Sequence, residues 1–170
     1  SLTFSVNHAT TAGGAIFNRG ILGVSSPVLT AVNFIGNVAD NNGGAMANAG
    51  ASGDSSPSVV ASHFEGNAAP YGGAVENDTA SPSFTDVTFS GNQASAAGGA
   101  VYSTDLGGPV TVQFTSVTFA GNSAHTSSGA VYNGLRAGSL ARFDHVTFEG
   151  NILTAAGTGG AVRNGGNAVF

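Results

Sequence analysis

The sequence contains no cysteine, no tryptophan and no lysine, and only 8% of its 170 residues are charged. Without cysteine the chain forms no disulfide and holds no thiolate-ligated metal. Its cations are Arg19, Arg136, Arg142 and Arg163 alone, too few and too scattered to displace the counterions of a nucleic-acid backbone. No apolar run reaches about 18 residues, which excludes a membrane-spanning helix within this stretch. Low charge does not mean disorder here. The net charge is −5, 41% of residues are hydrophobic, and 11 Phe recur at regular places. A disordered chain has the opposite balance, high net charge and few aromatics.

What the sequence does contain is an internal repeat. Phe occurs at 4, 34, 64, 89, 119 and 148, and each is followed three residues later by Asn: Asn7, Asn37, Asn67, Asn92, Asn122 and Asn151. About ten residues after each Phe comes Gly-Ala, at Gly14, Gly44, Gly73, Gly99, Gly129 and Gly160. Another Gly precedes the pair in every copy but one, where Ser128 stands. A fixed period of 25–30 residues marks a solenoid, in which each copy is one coil.

Within each copy the residues alternate with period two and carry no helical stripe, so the coil is all-β. Equivalent residues of successive coils then stack about 4.8 Å apart, and columns in the sequence become ladders in space. Phe ladders fill the interior. Asn is tolerated at a buried corner because each carboxamide donates to one neighbour and accepts from the other. The glycines supply turn angles, often with positive φ. The next column, Ile16, Met46, Val75, Val101, Val131 and Val162, faces inward, and Phe17, Ala47, Glu76, Tyr102, Tyr132 and Arg163 are expected in solvent. Asn18, Asn48, Asn77, Ser103, Asn133 and Asn164 then face inward or sit at a corner. Segments 21–27, 51–57 and 135–140 read as tolerant surface loops.

The FxxN and GGA[ILV] motifs, repeated in register along the chain, resemble the polymorphic outer membrane protein repeat of chlamydial surface autotransporters and other exported bacterial proteins. The resemblance implies a right-handed parallel β-helix in a cell-surface passenger associated with adhesion. It carries over no catalytic residue, because the motif residues are structural. The expectation is one solenoid domain over residues 1–170, extracellular or on the bacterial surface, non-enzymatic, without cofactor or metal.

Chemistry has few candidates. Glu65 and Glu149 share an outward column but lie three coils apart, roughly 14 Å, beyond the reach of a carboxylate pair. Glu76 and Asp78, with Asp86 in the next coil, read as a solvated face or a contact for a cation or sugar. His8, His63, His125 and His145 fall at four different repeat positions and form no column. Arg142, Asp144 and His145 form a charged patch. Asp40-Asn41-Asn42-Gly43 lacks the later ligands of a calcium loop and reads as a plain turn. Asn77-Asp78-Thr79 fits a glycosylation acceptor.

Two surfaces remain. Thr3, Thr88, Thr118 and Thr147 share an outward column that Asn33 and His63 interrupt, with Thr30, Thr85 and Thr115 as a second set. Such columns suggest an ice- or ligand-binding face, and a polysaccharide-binding or -cleaving β-helix is a further alternative. The ends form the other surface. Leu2, Phe4, Val169 and Phe170 are apolar and uncapped, and across a junction of two copies the Phe spacing would be 26, inside the internal range. The expectation is a continuing longer chain or head-to-tail stacking into a filament with an axial rise of roughly 28 Å. Host or surface glycans are the expected partners besides other copies.

Overall fold

A computed structural model describes residues 1–50 and 54–170, so the first three positions of the loop expected at 51–57 lie outside the described residues. The described chain is all-β, a parallel β-solenoid of about six coils. Each coil adds one strand to each of four six-stranded sheets, and every pairing is parallel. Sheet I runs from Leu2–Ser5 to Thr147–Glu149, sheet II from His8–Ala9 to Ile152–Leu153, sheet III from Ile16–Arg19 to Val162–Asn164, and sheet IV from Val28–Thr30 to Ala168–Val169. A small fifth sheet pairs Val24–Ser25 with Asp54–Ser55.

The register sets each Phe of sheet I on the next. Ring centroids along Phe4, Phe34, Phe64, Phe89, Phe119 and Phe148 lie 4.5–5.3 Å apart with planes within 17°. Sheet IV adds a second ladder, Phe84, Phe114, Phe143 and Phe170, whose upper members meet the first edge-on at 5.5 Å. The core is therefore two aromatic stacks interlocked by edge-to-face contacts, the offset geometries that aromatic quadrupoles favour. Val75, Val101 and Val131 of sheet III close its far wall.

The Asn ladder is saturated. Each carboxamide from Asn7 to Asn122 donates to the Oδ1 of the next Asn at 2.8–3.0 Å, and the same oxygen accepts that residue's backbone N–H. From Asn37 to Asn151 the second amide hydrogen goes to the carbonyl of a Phe one coil back. Such a residue leaves no buried polar atom unpaired, which is what makes full burial tolerable. The second polar column is buried from Asn18 to Asn133 but is interrupted. Asn48 donates to Asn77 and Asn77 to Ser103, whereas Asn133 donates onward to Asn164 and its own oxygen accepts from Leu135 N–H.

The paired glycines have two different causes. The first of each pair has positive φ, from 57° at Gly43 to 77° at Gly159, and Ser128 adopts the same conformation at 50°. The second has no such requirement. A Cβ on Gly99 would lie 1.9 Å from the Gly129 carbonyl oxygen of the next coil. The corner between sheets IV and I turns through positive φ without glycine, at Ala31, Ala61, Asp86, Ser116 and His145.

Segment 135–140 is not a free surface loop. Leu135 is buried in the core, and buried Asp105 accepts from the Arg136 backbone N–H at 2.7 Å and from the Ser139 hydroxyl.

Candidate functional site

The outward column of sheet III does not lie in solvent along its length. Ala47 is fully buried and Glu76 is only 6% exposed, while Tyr102, Tyr132 and Arg163 are half-buried. The reason is the turn between sheets II and III. A single-residue bridge column, Asn42, Tyr71, Ala97, Ser127 and Thr158, runs alongside it, so the two walls meet in a shallow, open corner.

That corner holds a groove of about 420 Å³ lined by Tyr71, Tyr102, Tyr132, Arg163, Ser127 and Thr158, among others. Tyr71 reaches across to Tyr102, with centroids 5.1 Å apart and planes tilted by 54°. Tyr102 and Tyr132 stack at 4.6 Å and 19°, and the Arg163 guanidinium lies 4.9 Å over the Tyr132 ring. The result is a cation–aromatic stack running along the solenoid axis.

Glu76 occupies the sheet III column one coil before Tyr102. Burial pushes its carboxyl up to about 8, with Asp78 adding to the effect. A carboxyl in this state is protonated at neutral pH and can donate a hydrogen bond. The Tyr102 phenol is raised by burial and then by Tyr132, Tyr71 and Glu76, against the lowering influence of Arg163. The solvated reading of Glu76 is thus corrected.

The other named residues do not converge. The phenylalanines and asparagines of the ladders are interior except in the terminal coils, where Asn7 and Phe170 are exposed. Glu65 and Glu149 are joined through Ser90 and Ala120 in one column, three coils apart. His8 meets Asp40 at 2.8 Å, so the turn beginning at Asp40 has its carboxylate engaged by an imidazole that sequence spacing did not connect to it. His145 and Asp144 form an exposed pair at 2.7 Å. Among the described residues no group of three or more His, Cys, Asp or Glu is placed to hold a metal.

Thr3, Thr88, Thr118 and Thr147 share one column of sheet I with Asn33 and His63 between the first two. Thr30, Thr85 and Thr115 lie on sheet IV, with Val60 and Asp144 in their column. The positive-φ corner separates the two sets, so they do not form one flat plane.

Leu2 and Phe4 lie in the first coil and Val169 and Phe170 in the last. Phe170 stacks on Phe143 at 4.9 Å and so belongs to the sheet IV ladder. Each sheet IV ladder position precedes its sheet I Phe by five residues, as in Phe143 and Phe148. Phe4 would follow Phe170 after four in a direct join, so two copies joined directly are one residue out of register.

Residues 1–19 and 86–104 match the family model of the Chlamydia polymorphic membrane protein repeat. Both stretches cover the same part of a coil, from the Phe-x-x-Asn strand to the strand after Gly-Gly-Ala. The repeat is thus similar to that of the family and folds as a β-solenoid. No curated protein matches the chain, and no solved structure does.

Proposed function

We propose that this chain is a non-catalytic adhesive module of a bacterial surface protein, a rigid solenoid that presents a lateral binding groove outside the cell. The observation that carries the proposal is a division of labour among residues. Those repeated in every coil are engaged inside, in the Phe and Asn ladders and the Gly-Gly turns. Those that break the repeat, Tyr71, Tyr102, Tyr132, Ser127 and Arg163, line one groove. Similarity to a repeat of chlamydial membrane proteins supports placement at the cell surface. No carboxylate lines the groove, which supports binding over hydrolysis there, since a glycosidase needs two within about 5–10 Å across a scissile bond.

The test pairs adhesion with a depolymerisation screen. Beads coated with the purified chain are expected to attach saturably to epithelial layers, with soluble chain competing, and to leave plant and bacterial polysaccharides at full length. Shortened polysaccharide, or beads that attach no better than albumin-coated ones, would contradict the proposal.

A further inference from the structure

The fifth coil carries the one departure from the Gly-Gly pair. Ser128 replaces the glycine of the other copies while keeping positive φ, a conformation that costs a side-chain-bearing residue free energy. Its hydroxyl and that of Ser127 are buried without a hydrogen-bond partner. Unpaired buried hydroxyls are destabilising, and of the two serines Ser127 lines the groove. Neither serine is needed for a ladder.

Ser127 and Thr158 form one wall of the groove, and Tyr132 and Arg163 the other. Because Tyr102 and Tyr132 stack on each other, their edges and phenol oxygens are what line the cavity. Tyr71 closes the groove at one end through its contact with Tyr102. At the other end Arg163 is held over Tyr132 and, among the described residues, forms no ion pair. A stacked guanidinium keeps its N–H edge free for a planar oxyanion. The groove therefore offers a row of hydroxyls ending in one fixed cation.

This pattern selects among ligands. A polysulfated or polyphosphorylated chain would meet one cation on a protein of net charge −5, with long-range repulsion opposing it. A phosphate nest is absent at the turn, because the N–H groups of Gly72, Gly98 and Ser128 are bonded to carbonyls of the next coil. A neutral sugar would leave Arg163 without a partner. A ligand with several hydroxyls and one carboxylate satisfies both walls.

Resting on the adhesive reading above, we propose that the groove binds a carboxylate-bearing saccharide, its carboxylate on Arg163 and its hydroxyls on Thr158 and the Tyr102 and Tyr132 phenols. The test is ligand-observed NMR and calorimetry on the whole chain with glucuronate and N-acetylneuraminate, each beside its methyl ester. One of the acids is expected to bind, its ester at least about tenfold more weakly, matching the loss of a charge-assisted pair. Arg163→Gln should reproduce that loss with unchanged thermal unfolding. The ester comparison needs no variant and stands even if the substitution disturbs folding. Equal binding of acid and ester, unchanged affinity in Arg163→Gln, or no binding of either acid at millimolar concentration would overturn the assignment. If beads still adhere while both acids fail, the groove assignment falls and the adhesive reading stands. If an acid binds but beads do not adhere, the reverse holds.

Discussion

The carboxamide of Asn92 donates to Asn122 Oδ1 at 2.9 Å and to the Phe64 carbonyl at 3.0 Å. Its own oxygen accepts two N–H groups from Asn67. One fully buried side chain thus joins three successive coils. Asn92→Ala leaves two buried donors of Asn67 without their acceptor and takes a side-chain donor from the Phe64 carbonyl and from Asn122 Oδ1, which keeps the backbone N–H of residue 92, so a loss of about 2–4 kcal/mol is expected. Urea unfolding followed by circular dichroism measures it, and a change below about 0.5 kcal/mol would show that the ladder is not a stabilising element.

The two glycines of the turn call for opposite outcomes. Ser128→Gly relieves positive-φ strain and removes an unpartnered hydroxyl. After the extra backbone entropy of glycine it should stabilise the chain by about 1 kcal/mol. Gly99→Ala drives a methyl into the Gly129 carbonyl and should destabilise by about 3 kcal/mol or more. Thermal unfolding of both variants decides the matter; a stable Gly99→Ala would mean the coils are less closely apposed than described.

Glu76 makes stability depend on pH. Its folded pKa, raised to about 8, lies above the unfolded value of 4.5, so between these limits the folded state binds more protons than the unfolded one. Stability is therefore highest below about pH 4.5 as far as this group is concerned, falls as pH rises through 8, and is flat beyond. The loss is of the order of a few kcal/mol. Glu76→Gln should flatten the profile and raise stability at pH 8–9. Parallel profiles for both proteins would place the carboxyl in water.

Register at a junction is testable with tandem fusions. Inserting one Thr between Phe170 and Ser1 restores the five-residue step seen at Phe114 and Phe119 and supplies the Thr that this corner has at Thr85 and Thr115. The fusion with the insertion should unfold in one transition at a higher temperature than the direct one. Identical melting curves would show that the coils across the junction do not pair.

The ladders were legible because a column needs only identity of residue at a fixed period, and Phe89, Asn92 and Gly99 have that. Glu76 was not legible. Period-two alternation assigns it outward, yet the angle between sheets II and III, which no alternation encodes, turns that outward side into a concavity. The groove was missed for a related reason: Tyr71 and Ser127 approach Tyr102 and Tyr132 from another sheet. The cause of the second turn glycine was equally hidden, because its close neighbour lies a full coil away in sequence. The register of a covalent join has a second measure beside the sheet I column, because Phe170 belongs to the sheet IV ladder.

The most direct test of the account compares two faces of the same rod. Beads carrying Tyr132→Ala with Arg163→Gln, altered in the groove, and beads carrying Thr88→Tyr with Thr118→Tyr, altered on sheet I, are set against the unmodified chain for attachment to epithelial layers. Attachment should be lost with the groove variant and kept with the sheet I variant, both folding normally. Attachment that survives in the groove variant and disappears in the sheet I variant would contradict the account.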